Sequence, residues 1–318
     1  MKNRYLFILA VIVTIVTTSC VKKNLKAIED NSKTYDPDVS LNKIYYSKSV
    51  NGNSDIYKIS PDGTSSTDNN ITASSDKDEL FPVVSHDAKR IAYTSGDRLF
   101  QSAIDGSNEI EITNNSIFST RNFTPTYLSW SNKSNFITFQ NTKENIHHYI
   151  DSQYDTKINK SITSIFKNDT TYTSTYLSFS PVEDEVIFVN RITNPLGVVN
   201  WSSLEISNLG GSNDSADVIL SLDAIITNPQ FFKNGKQVLY QLNNSISMID
   251  VDGGNKTNLI NQGSFELIAG FSASPDGTEV VYSSNISGNY ELYILTISSK
   301  EINQITNTPE DELYPFWN

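Results

Sequence analysis

The chain has 318 residues, with 24 Lys and Arg against 36 Asp and Glu, three His and one Cys. A net charge of −12 excludes a nucleic-acid partner, because neutralising phosphates requires clustered cations, and it favours solubility and basic partners. A single thiol excludes any disulfide within the chain.

At the start of the chain, Lys2 and Arg4 precede an apolar run from Tyr5 to Val16, and Thr17, Thr18 and Ser19 lead to Cys20. Basic, apolar and small residues in that order describe a secretory signal. The run is shorter than the roughly 20 apolar residues of a spanning helix. The segment resembles a bacterial lipobox, with Thr17 where Leu is commonest. That resemblance implies cleavage before Cys20, lipid attached to its thiol, and a membrane anchor, each buried methylene contributing about 0.8 kcal/mol. Residues 1–19 are thus expected to be a lipoprotein signal peptide. Residues 20–40 are expected to be the lipidated Cys and a flexible tether, since Lys22, Lys23, Lys26, Asp30, Asn31 and Ser32 show no apolar periodicity. Loss of Lys2 and Arg4 takes the net charge from −12 to −14.

From residue 41 to 318 strand signals dominate: 16 Tyr, 15 Phe, and short runs of Ile, Val and Thr broken by Asn, Asp, Gly and Ser. Phe271 opens the clearest unit, FSASPDGTEVVYSS, followed by ELYILTISS from Glu291 and QIT from Gln304. It reads as four strands, with Pro275-Asp276-Gly277 as a turn, because Pro presets φ, Asp bonds nearby backbone and Gly tolerates positive φ. Related units begin at Val83, Leu128, Leu177 and Pro229, and the residues opening their turns are Ser85, Ser131, Ser180, Lys233 and Ser274. The spacings of 46, 49, 53 and 41 suit four-stranded propeller blades. Third strands are expected from Asp55, Arg98, His147, Ser202 and Ser245. Fourth strands are expected around Ile71-Thr72, Ile112-Thr113, Ile162-Thr163 and Ile305-Thr306, with weaker counterparts near Ile219 and Leu259.

DELYPFWN, from Asp311, repeats DELFPVVS, from Asp78, while the first unit begins directly with KIYYS at Lys43. Tyr314–Trp317 is therefore expected to form the innermost strand of the first blade. The fold class that results is all-β: a six-bladed β-propeller of four-stranded blades, closed by the C-terminal strand joining the first blade.

The motifs SPDGTEVVYSS, ISPDG, IDVDGG and DELYPFWN resemble the WD40-like repeats of the TolB family, from about Leu41 to Asn318. The resemblance implies a propeller of the bacterial envelope; similar repeats also occur in peptidase propellers and carbohydrate lyases. Two features depart from the family: some 20 tether residues stand where TolB has an α/β domain, and Cys20 implies a lipid anchor.

The candidate partner-binding residues are Asp78, Glu79, Asp311, Glu312 and Trp201. The two acidic pairs precede innermost strands and could attract a basic segment, although the same position suits backbone bonding between neighbouring blades. Trp201 falls in the stretch from Arg191 to Ser202, read as a long loop, where an exposed ring could anchor a contact. Trp130 and Trp317, on predicted inner strands, read as core. Asp250–Asn255 reads as turn chemistry rather than a calcium loop, since it lacks the alternating ligand series. His86, His147 and His148 form no metal-ligand pattern, and no cofactor is expected. The chain contains neither a GxSxG elbow nor a phosphate loop, and Glu183-Asp184-Glu185 reads as a solvated hairpin, so no catalytic residue is assigned. Two functions compete: a non-catalytic, membrane-anchored envelope scaffold that binds a protein partner, and a propeller that binds or cleaves a glycan.

Overall fold

The computed structural model describes residues 42–63, 69–73, 77–113, 124–141, 146–151, 172–193, 199–208, 216–261 and 268–318. The expected signal, Cys20, the tether and the Ile162-Thr163 pair lie outside the described residues.

Every regular element among the described residues is a strand. The first sheet holds β1 (Ile44–Val50), β2 (Asn53–Ile59) and β3 (Asn69–Asn70). The second holds β4 (Glu79–Val84), β5 (Arg90–Ser95), β6 (Arg98–Ala103) and β7 (Ile110–Glu111). The third holds β8 (Pro125–Trp130), β9 (Phe136–Asn141) and β10 (Ile146–Asp151). The fourth holds β11 (Tyr172–Phe179), β12 (Glu185–Thr193), β13 (Val199–Asn208) and β14 (Asp217–Leu222). The fifth holds β15 (Ile226–Phe231), β16 (Gln237–Leu242), β17 (Ser245–Asp250) and β18 (Thr257–Asn261). The sixth holds β19 (Ile268–Ala273), β20 (Glu279–Ser284), β21 (Glu291–Thr296) and β22 (Ile302–Gln304). Finally β23 (Asp311–Trp317) returns to β1, pairing Ile44 with Trp317 and Tyr45 with Phe316, in the order β23-β1-β2-β3. Five sheets thus have four strands, and the third has three among the described residues.

The repeated turns have a common chemistry. The hydroxyls of Ser85, Ser131 and Ser274 each accept a backbone N–H five residues on, from Arg90, Phe136 and Glu279, at 3.0 Å. Ser180 accepts the N–H of Glu183 at 3.2 Å. In the fifth sheet the corresponding backbone bond runs from Phe232 N to Gln237 O, so this turn opens at Phe232 and not at Lys233. Phe232 lacks the hydroxyl but is buried, and its N–H closes the hairpin as serine's does.

Outer strands end earlier than the Ile-Thr pairs suggest. Ile71, Ile112 and Ile305 donate their N–H to Ile56, Leu99 and Leu292 O. The next Thr hydroxyl then accepts the N–H of that same third-strand residue, at 3.0, 3.2 and 2.7 Å. A side chain thereby replaces the ladder and stops the strand. β14 and β18 occupy the weaker positions near Ile219 and Leu259.

The core lies between consecutive sheets, face to face. Tyr45 and Ile56 of the first sheet meet Val84, Ile91 and Tyr93 of the second; Val83 and Leu99 of the second meet Trp130 and Phe139 of the third. Ile187 and Leu204 of the fourth meet Val238 and Tyr240 of the fifth, whose Phe232 and Leu239 meet Phe271 and Tyr282 of the sixth. The sixth sheet's Val281 and Leu292 pack in turn on Ile44, Tyr46 and Trp317. Antiparallel four-stranded blades packed in this way make an all-β propeller. Trp130 and Trp317 are core residues, 2% and 3% exposed, and their indole N–H groups donate to Val83 O and Asn42 Oδ1.

Trp201 corrects an expectation. It sits on β13 opposite Ile192 and is half-buried, because β12 and β13 pair without a break from Glu185 and Asn208 up to Ile192 and Trp201.

Candidate functional site

Each innermost strand carries the same irregularity. The register against its neighbour slips between Leu80 and Val83, Thr126 and Ser129, Thr175 and Ser178, Thr227 and Gln230, and Ile268 and Phe271. β23 does the same against Tyr45 and Ser47. A bulge leaves residues unpaired and re-aims a side chain. In every case one bulge residue has positive φ: Phe81 (56°), Tyr127 (53°), Tyr176 (58°), Asn228 (50°), Gly270 (112°) and Tyr314 (54°). Bulky residues rarely adopt this conformation; four aromatics do so here, and Phe81, Tyr127 and Tyr176 each stand four positions before the turn-opening Ser85, Ser131 or Ser180.

These six residues line one cavity of about 260 Å³, with Thr227, Gln230 and Gln241 also in its wall. Four consecutive positions form an arc of rings. Centroids lie 4.1 Å apart for Tyr314 and Phe81, 6.3 Å for Phe81 and Tyr127, and 4.2 Å for Tyr127 and Tyr176. Arg191 caps the arc, its guanidinium carbon 4.7 Å from the Tyr176 centroid, while its Nη2 donates to Ile226 O at 2.8 Å. Burial first, then the neighbouring Tyr176, raises the Tyr127 phenol above its ordinary range, and burial does the same for Tyr314. Both therefore stay neutral hydroxyls at physiological pH.

A smaller chamber of about 120 Å³ shares Tyr127, Tyr176, Asn228 and Gln230 with the first and extends to His86 and Lys233. These two occupy equivalent turn positions on the second and fifth sheets. Burial lowers the pKa of both, and the Lys233 charge lowers His86 further, which favours neutral imidazole. Neither chamber has a described Asp or Glu in its wall.

The acidic pairs lie instead at the seams between blades. Asp78 accepts the Ser54 N–H and Asp311 the Tyr290 N–H, each at 2.9 Å, joining consecutive sheets through their backbones. Glu79, 4% exposed, accepts from the hydroxyls of Thr72 and Ser95. Glu312, 0% exposed, accepts from Thr308 at 2.5 Å and lies 3.5 Å from Lys48 Nζ. Burial, then its hydrogen bond with the buried Glu291, pushes the Glu312 carboxyl up to about 8.

The other candidates resolve into local structure. Gly254 N donates to Asp252 Oδ1 and Asn255 Nδ2 to Asp250 Oδ2, so the Asp250–Asn255 carboxylates hold their own turn. Asp184 pairs with Lys133 at 3.5 Å on the exposed hairpin. His147 and His148 lie on β10. The arc residues were not singled out by the sequence reading. Their signal is an aromatic four residues before Ser85, Ser131 and Ser180, matched by Tyr314 where DELYPFWN repeats DELFPVVS.

No family model matches the chain, and no curated protein does. Among solved structures, TolB from Acinetobacter baumannii superposes with a TM-score of 0.66 at 17% identity, over 87% of this chain and 66% of TolB. A chain of the nidogen/laminin complex gives 0.64 at 9% identity, covering 86% of this chain and 97% of its own. Oligogalacturonate lyase from Vibrio parahaemolyticus gives 0.52 at 12% identity, covering 85% and 74%. This chain therefore spans about two thirds of the TolB chain it resembles. Together with its bulged inner strands and face-to-face blades, that likeness makes its fold a TolB-like β-propeller.

Proposed function

We propose that this chain is a non-catalytic binding protein of the bacterial envelope. Lipid on Cys20 would anchor it, residues 20–40 would tether it, and residues 41–318 would form a six-bladed ring closed by β23. A propeller face would then engage a protein partner. The observation that carries the reading is a pair of adjoining chambers, walled by aromatic and amide side chains with His86 and Lys233 in the smaller, that have no described Asp or Glu in their walls, since acid–base hydrolysis of a glycosidic bond uses a pair of carboxylates. The fold it shares with TolB and with a component of the nidogen/laminin complex adds support by analogy only. Asp78, Asp311 and Trp201 are the proposed partner contacts, with the buried Glu79 and Glu312 bracing the strands beneath.

Capture from envelope extracts with the intact lipidated chain tests this. A partner recovered by the wild type and reduced several-fold by Trp201→Ala is the expected result. Recovery of nothing above a lipid-only control would overturn it.

A second reading, carbohydrate binding, is favoured by the aromatic arc, since rings of this kind present flat apolar faces beside polar edges. Similarity to oligogalacturonate lyase keeps cleavage within that reading.

A further inference from the structure

We propose that the chamber of about 260 Å³ is a binding site for one neutral pyranose ring, stacked on the Tyr314–Phe81–Tyr127–Tyr176 arc and hydrogen-bonded by Asn228, Gln230 and Gln241. The inference rests on the carbohydrate reading and names its ligand class and residues.

Space-filling alone does not account for the arrangement. Four of six equivalent bulge positions hold a bulky ring at φ between 53° and 58°, so the backbone at Asn228, φ 50°, accepts one too, yet it carries an amide. Gly270 is small for a different reason: a Cβ there would lie 3.1 Å from Tyr314 Cα. With no ring at these two positions, the side of the cavity opposite the arc is not filled by aromatic side chains.

Its walls divide by chemistry. One side offers aromatic faces, which suit the C–H face of a sugar. The other offers amides whose capacity is only partly used. Gln230 Nε2 donates to Phe271 O at 2.9 Å and to Asn228 Oδ1 at 3.4 Å, and Gln241 Nε2 donates to Asn243 O at 2.9 Å. Asn228 Nδ2, Gln230 Oε1 and Gln241 Oε1 have no further partner among the described residues, leaving one donor and two acceptors for ring hydroxyls. Among the described residues no charged side chain lines this chamber. A uronate carboxylate facing the amides would be desolvated with no counter-ion in the wall, since the Arg191 guanidinium beside the chamber is engaged by the Tyr176 ring and Ile226 O, so the site selects neutral rings.

The test titrates the full chain with methyl glucopyranoside and N-acetylglucosamine, with glucuronate as the charged arm, read by saturation-transfer NMR and calorimetry. Both neutral probes should bind saturably and glucuronate at least about ten-fold more weakly, a difference of about 1.4 kcal/mol. Asn228→Tyr, which adds the fifth ring, should reduce neutral binding at least ten-fold while the melting temperature holds. Gln241→Leu, on the neighbouring strand opposite Thr227 and outside the positive-φ backbone, should weaken it several-fold and decides the matter if Asn228→Tyr fails to fold. Unchanged affinity in a folded Asn228→Tyr variant, or in Gln241→Leu, overturns the site. Glucuronate binding as tight as the neutral probes overturns the neutral-ring inference and leaves the carbohydrate reading standing; no binding of any probe overturns both.

Discussion

Glu312 shows how one residue couples β23 to pH. Its carboxyl is buried against that of Glu291, and its pKa rises from 4.5 to about 8. The folded state therefore holds a proton that the unfolded chain releases, and stability is full below about 4.5 and lost as pH climbs toward about 8. The Lys48 ammonium at 3.5 Å offsets part of that loss. Raising the pH from about 5 to about 8 should lower the melting temperature by several degrees, given roughly 2–4 °C per kcal/mol for a domain of this class. Glu312→Gln should flatten this profile and melt higher than the wild type at pH 8; a slope identical to wild type in calorimetry would dismiss the assignment. The residue scale was partly legible. Ser85, Ser131, Ser180 and Ser274 were readable because a hydroxyl that caps a turn recurs in sequence. The matching role of Phe232 was hidden, because there the backbone alone closes the hairpin.

At the scale of elements, β23 carries the largest single consequence. It supplies the inner strand of the first sheet and also touches the sixth, where Trp317 N donates to Ser272 Oγ at 3.1 Å and Glu312 N to Tyr290 O at 2.8 Å. Deleting Leu313–Asn318 would unpair most of β1 and remove Trp317, Phe316 and the half-buried Tyr314, uncovering Ile44, Val281 and Leu292, which pack on Trp317. Each large side chain contributes about 1.5–3 kcal/mol by burial, against a typical net stability of 5–15 kcal/mol. The truncated protein should aggregate or melt far below the full chain in differential scanning calorimetry, and equal melting would refute the closure. That pairing was legible because DELYPFWN repeats DELFPVVS. Strand ends were less so. The length of β12 and β13 around Trp201 depends on cross-strand partners such as Ile192, which composition does not reveal.

For the whole molecule, the anchor is the remaining test: Cys20→Ser should abolish acyl labelling and release the mature protein from membranes, and continued labelling of that variant would remove lipid from the account. The sequence alone determined the all-β class, the blade period and the return of the last strand, because each is written in local turn chemistry and repeated apolar patterns. Only the tertiary structure decided that Phe81, Tyr127, Tyr176 and Tyr314 converge on one cavity opposite Asn228 and Gly270. Residues far apart in the chain, from 81 to 314, meet there because each inner strand bulges at the same point and turns its bulge residue toward the same cavity. The acidic pairs went the other way: their spacing marked them as repeated, and only packing showed Glu312 sealed inside a seam, its neighbour Asp311 bonded to backbone. Periodicity records which residues recur; it carries no φ angle and no distance across the ring.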